Sequence, residues 1–161
     1  MSIENTSADL NEYVTAVVGG QLFGLPIRRV QDVFIPERIT RVPLAPPEIA
    51  GLLNLRGRIV TLIDLAFRLG LARQDNDRES ESIAMAIGVE LRGESYGLMI
   101  DSVGEVLKLD AAQCERNPIN LDPRLVSVSS GVYRLDGQLL LVLDVDRVLD
   151  IAMPPAGAVA A

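Results

Sequence analysis

The chain contains itself twice. Phe23-Gly24-Leu25-Pro26-Ile27-Arg28-Arg29-Val30-Gln31-Asp32-Val33-Phe34 aligns with Tyr96-Gly97-Leu98-Met99-Ile100-Asp101-Ser102-Val103-Gly104-Glu105-Val106-Leu107 at an offset of 73, with five of twelve positions identical. Chance at average residue usage would give roughly one identity. Residues 51–69 align with 131–149 at an offset of 80, without a gap. The identities there are Gly51/Gly131, Leu55/Leu135, Gly57/Gly137, Asp64/Asp144 and Leu69/Leu149. Such self-similarity means one small unit built twice. The units cover about 13–70 and 83–150, within a single domain over 11–151. Residues 72–82 are polar and read as a linker, and 1–10 and 152–161 read as flexible tails.

Each unit has the marks of short strands. Residues 13–18 are rich in β-branched types, Gly19-Gly20 follows, and 21–27 runs apolar again: strand, turn, strand. The second copy repeats this over 83–91, 92–94 and 95–100. Pro26 should close its strand or sit at an edge, because it cannot donate to a ladder. A second hairpin turns at Leu55-Arg56-Gly57-Arg58, and again at Leu135-Asp136-Gly137-Gln138. The strands that follow, 59–63 and 139–143, are continuously apolar and so should bury both faces. Each ends in an Asp suited to cap a short helix. Asp64 would cap 65–69, ended by Gly70, and Asp144 would cap 145–149. Four or five short strands per copy predict an all-β pair of small barrels. Barrels of about 65–70 residues have marginal cores alone, so a shared apolar seam is expected.

Composition removes several function classes. There is no His and no Trp, one Cys (Cys114) and one Lys (Lys108). Catalysis by Ser-His or Cys-His pairs, His metal sites, disulfides within the chain and CxxC sites are thereby excluded. No cofactor or metal is called for. A net charge of −7 argues against nucleic acid and anionic membranes. The start has no basic and apolar leader, and the longest strongly apolar run, 139–143, is too short to span a bilayer. A soluble cytoplasmic protein is the expectation.

Asp64 and Asp144 read as helix caps rather than catalytic acids, because the repeat makes them symmetric and no second acid or base adjoins them. Ser127, Ser129 and Ser130 lack an adjacent base, and Cys114 lacks an activating cationic cluster. In the turn at 54–57, Leu55 and Gly57 recur in the second copy, so structure explains them. Asn54 and Arg56 do not recur, since Arg134 and Asp136 stand there. Val30 and Val33 read as strand core and Asp32 as a solvated acid, since the second copy keeps Val103, Glu105 and Val106 there.

The run PLAPPEIAGLLNLRGRIVTLIDL (residues 43–65) resembles the signature of the CheW-like chemotaxis coupling proteins, in which N-L-R-G precedes an apolar strand and Asp-Leu. The segments at 23–33 and 97–103 resemble two further family motifs, so the resemblance covers about 11–151. Thr61 stands where the family usually has Pro, and Asp32 where Glu is commoner. The resemblance implies a tandem pair of five-stranded SH3-like β-barrels with short helices after the barrel strands. It also implies a non-enzymatic adaptor that couples the cytoplasmic tip of methyl-accepting chemoreceptors to the regulatory domain of the CheA histidine kinase. The receptor-binding residues it implies are Val30, Asp32, Val33, Asn54, Leu55, Arg56 and Gly57. Kinase contacts would lie at exposed apolar barrel ends, and the protein would sit at receptor arrays. Three alternatives remain open. They are a CheW-like scaffold of a non-flagellar pathway, a double barrel binding a small ligand or nucleic acid, and a hydrolase using Asp64 or Asp144.

Overall fold

The computed structural model describes residues 10–71 and 85–150. The expected linker at 72–82 and the tails therefore lie outside the described residues, apart from Leu10, which opens the first strand. The first copy supplies β1 (Leu10–Val18), β2 (Gln21–Pro26), β3 (Val30–Phe34), β4 (Ile49–Leu55), β5 (Arg58–Asp64) and helix α1 (Leu65–Leu69). The second supplies β6 (Met85–Leu91), β7 (Glu94–Ile100), β8 (Ser102–Asp110), α2 (Pro123–Val126), β9 (Ser129–Leu135), β10 (Gln138–Leu143) and α3 (Val145–Val148). Short 3₁₀ turns occupy Ile27–Arg29 and Ala111–Gln113. Pro26 is the last residue of β2, as its missing N–H requires.

Two five-stranded sheets form, ordered β8-β1-β2-β10-β9 and β3-β6-β7-β5-β4. They make up the first and second SH3-like barrels. Position for position the two orders are the same, because β1–β5 correspond to β6–β10 through the repeat. The expectation that 13–70 and 83–150 each close their own barrel is corrected here. Each barrel combines the opening hairpin of one copy with the last three strands of the other. Asp101 alone separates β7 from β8. One residue cannot fold a chain back into a neighbouring ladder, since the tightest hairpins need two. The chain therefore passes onward, and β8 pairs antiparallel with β1 in the other sheet. Similarly β3 leaves the short turn after β2 to pair with β6. The exchanged hairpins are locked by two parallel pairings, β2 with β10 and β5 with β7.

The apolar residues divide into three clusters that explain the strand patterns. Tyr13, Tyr133, Leu140 and Val142 fill the first barrel, and Phe34, Leu53, Val60, Leu62 and Ala86 fill the second. A third and larger cluster is the expected seam. It joins Phe23, Leu25, Leu141 and Leu143 of the first sheet to Ile63, Ile87, Leu98 and Ile100 of the second, with Leu65, Leu69, Val145 and Val148 from the helices. Each such side chain contributes roughly 1.5–3 kcal/mol by leaving water. Along β10, Leu140 and Val142 point into the barrel while Leu141 and Leu143 point into the seam, which is why that run is apolar throughout. In β5 the both-faces expectation fails at one end, where Ile59 is 60% exposed beside the turn. The repeated Gly24 and Gly97 let strands approach closely. A Cβ at Gly24 would lie 2.8 Å from Leu140, and one at Gly97 would lie 2.9 Å from both Leu62 and Phe34.

The helix caps form as expected. Phe67 N–H donates to Asp64 Oδ1 and Arg147 N–H to Asp144 Oδ1, each at 3.2 Å. Gly70 ends α1 in the left-handed region, with φ 72°.

Candidate functional site

The turn between β4 and β5 is a two-residue hairpin, with Leu55 opposite Arg58. Both central residues are left-handed, Arg56 at φ 55° and Gly57 at φ 81°. That conformation matches the twist of the flanking strands but suits Gly and Asn far better than Arg. A Cβ at Gly57 would meet nothing within 4 Å, so glycine serves the dihedral there rather than the space. Asn54 supports the turn directly, since Gly57 N–H donates to its Oδ1 at 2.9 Å. The residue type that the repeat left unexplained thus has a structural task. Leu55 is half-buried against the second barrel's core.

Arg56 is different. Its side chain is 72% exposed and meets Asp32 of β3, Nη1 to Oδ2 at 3.4 Å. At that length and exposure the pair contributes at most about 1 kcal/mol to stability. Most of the guanidinium fork faces solvent, available to a carboxylate or a carbonyl. β3 and β4 are the two edge strands of their sheet, so this ion pair bridges the open side of the second barrel. Asp32 follows a β-bulge between Val30 and Asp32, and its carboxylate lies over Gly88 of β6, where any side chain would collide with it. Val30 is half-buried and packs against the seam cluster, whereas Val33 is 38% exposed. All seven predicted residues belong to one barrel, and the structure brings Asp32 and Arg56 into contact.

The symmetry-related place on the first barrel is built differently. Asp136 and Glu105 take the positions of Arg56 and Asp32, so two carboxylates stand where the second barrel has a cation and a carboxylate. Of Asp136 and Gly137 only the glycine is left-handed. Arg134, at the position of Asn54, pairs with Glu115 at 2.9 Å instead of supporting the turn.

The sequence reading missed a neighbouring cleft of about 590 Å³, lined by Glu37, Arg38, Thr40, Leu52, Leu53, Asn54 and Ile59. It forms because Thr40 bridges to Leu52 and holds the connection after β3 against the edge of β4. Ile59 of this lining and Ile39, between Arg38 and Thr40 of it, are exposed. Arg38 and Leu44 are left-handed, at φ 56° and 65°. The available signal was an apolar connection lying among prolines.

Among the described residues, no helix is long and apolar enough to cross a membrane. No group of three His, Cys, Asp or Glu among them could hold a metal ion. Cys114 is exposed at the end of the 3₁₀ turn at Ala111–Gln113, and Ser129 is buried and hydrogen-bonded to Asn117. Tyr133 has its hydroxyl pKa raised above the ordinary 10.0, by burial first and then by its bond to Tyr13.

Residues 12–153 match the CheW-like domain family. The chemotaxis protein CheW of Klebsiella aerogenes is 28% identical over 138 residues, covering 86% of this chain and 81% of that protein. The chemotaxis protein CheW of Thermotoga maritima is 27% identical over 139 residues, 86% of this chain and 87% of its own. The crystal structure of the scaffolding protein TtCheW from Thermoanaerobacter tengcongensis superposes with a TM-score of 0.77 at 27% identity, covering 91% of this chain and 92% of the other. With its exchanged barrels, its Asn-Leu-Arg-Gly turn and these relatives, the chain belongs to the CheW-like domain family of chemotaxis scaffolds.

Proposed function

We propose that this chain is a non-enzymatic coupling element of a bacterial chemosensory array. It holds the cytoplasmic tip of a methyl-accepting chemoreceptor and the regulatory domain of a CheA histidine kinase at once, and works in the cytoplasm where those arrays assemble. Binding both lets a shift in the receptor alter the kinase through differential contacts at two interfaces. The observation that carries this reading is the exposed Asp32–Arg56 bridge beside Val30 and Val33, present on one barrel and absent from its symmetry mate. A left-handed arginine is a cost of order 1–3 kcal/mol that its counterpart Asp136 does not bear. Apolar anchors with a few orienting polar groups suit a helix lying in a groove. Ile39 and Ile59, exposed beside the 590 Å³ cleft, form the apolar barrel end offered to the kinase. Both barrel interiors are filled by their own side chains, which counts against a small ligand inside either.

Co-sedimentation with receptor-bearing membranes tests the reading. Arg56→Glu should lower the bound fraction at least tenfold while the melting temperature stays within a few degrees. A folded Arg56→Glu protein that pellets like wild type would remove Arg56 from the receptor site.

A further inference from the structure

We infer that Arg29 and Asp146 form a clasp that sets the position of β3 and so tunes receptor binding. The inference rests on the receptor reading above and adds two positioning residues to it. The chain crosses between barrels twice, after β2 and after β7, and the repeat makes the crossings equivalent. After β7 the crossing is pinned by backbone. Asp101 N–H donates to Val17 O at 3.0 Å, and Gly19 N–H donates to Asp101 Oδ2 at 2.8 Å. After β2 the chain makes the 3₁₀ turn Ile27–Arg29 instead. The carbonyl equivalent to Val17 O is Glu90 O, and it accepts from the guanidinium of Arg29 at 3.3 Å. The same Nη2 reaches Asp146 Oδ1 at 2.9 Å. A side chain thus stands where the other crossing uses the main chain.

At the symmetry-related positions Arg29 is replaced by Ser102 and Asp146 by Ala66, which cannot form an ion pair. The fold closes there without one, so folding does not demand the clasp. What distinguishes the clasped crossing is where it leads: Arg29 is followed immediately by Val30, Asp32 and Val33 of β3. The other end of the clasp is firm. Asp146 lies on α3, whose Val145 and Val148 are buried in the seam. The carbonyls of Arg147 and Val148 accept from Arg68 of α1, each at 2.9 Å. The path runs from the seam through α3 and Arg29 to the first residue of the receptor strand. Arg29 and Asp146 remain 30% and 62% exposed, so the contribution is modest and adjustable.

Charge reversal tests the clasp on the full chain. Arg29→Asp and Asp146→Arg should each weaken co-sedimentation with receptor-bearing membranes about three- to fivefold. Binding to the purified kinase regulatory domain should change less than twofold, and melting should shift by no more than a few degrees. The double variant should recover at least half of the lost receptor affinity, which a merely destabilising pair of changes would not do. Wild-type receptor binding by both single variants, or additive losses in the double variant, would overturn the clasp. Arg56→Glu is run alongside. If it lowers receptor binding and the clasp variants do not, only this inference fails; if it binds like wild type, the receptor reading itself fails.

Discussion

Tyr13 and Tyr133 meet at the centre of the first barrel, where the second barrel has Ala86 and Leu53. Their rings lie 5.6 Å apart at 59°, with the hydroxyls 3.3 Å apart. The volume lost at Ala86 is offset by Phe34, which replaces Leu107 of the other copy. Two interiors of one strand order are thus filled by different large and small partners, as close packing allows. The faces above them diverge further. One has a strained arginine bridged to an aspartate, the other two carboxylates and an arginine turned aside. What both copies keep makes the fold: Gly24/Gly97, the capping aspartates, and the seam leucines. What only one copy keeps is where function is to be sought.

The strand exchange makes a strong demand on this comparison, because barrels that differ in content should still unfold as one. Leu98 is fully buried in the seam. Leu98→Ala should cost about 2–5 kcal/mol, and both barrels should lose structure in a single transition. In a Tyr96→Phe background, urea unfolding followed by far-UV circular dichroism and by tyrosine fluorescence tests this, since the remaining Tyr13 and Tyr133 report on the first barrel. Non-coincident curves would show that the barrels are separable units after all.

The tyrosine pair sharpens the difference between interiors. Because the folded state holds the Tyr133 hydroxyl above 10.0, its contribution to stability is complete below that pH. It is lost as pH rises from there toward the higher folded value. Tyr133→Phe has no such group to titrate. It should be somewhat less stable than wild type at pH 8, by about 1 kcal/mol, yet lose less stability between pH 8 and pH 11. Equal alkaline losses in urea midpoints would mean that the hydroxyl is not shielded.

Local features were legible in the sequence because their causes span few residues. The turns at Gly19-Gly20 and Arg56-Gly57, the Asp64 and Asp144 caps and the end of β2 at Pro26 all depend on neighbours within about four positions. The exchange of hairpins was not legible. A repeated strand offers the same edge and the same apolar face to its own copy as to the other, so the pattern cannot say which it joins. The length of the β7–β8 connection decides it, and recognising that needed the exact strand ends, the least certain feature of any pattern. The site was partly legible. The motif marked 54–57 and 30–33, whereas the contact of Arg56 with Asp32 depends on two opposite edges of a sheet coming together. Asn54 also holds the turn, through the N–H of Gly57, a contact the motif alone does not reveal.

The smallest expected effect separates strain from function at this turn. Arg56→Gly removes a side chain from the left-handed region, where glycine is at no disadvantage. It also removes an exposed ion pair that contributes little. Relief of strain should therefore offset or exceed the loss, and the variant should be equally stable or more stable by up to about 1 kcal/mol. The same change at Asp136, which is not left-handed, relieves nothing and should be neutral or slightly destabilising, because the unfolded chain gains freedom. Thermal melts of the two glycine variants make the comparison directly. If Arg56→Gly melts lower than Asp136→Gly, the arginine is held by the fold for stability, and the case for keeping it as a binding group weakens. If it melts as high or higher and loses receptor binding, the turn carries a residue that stability alone would discard.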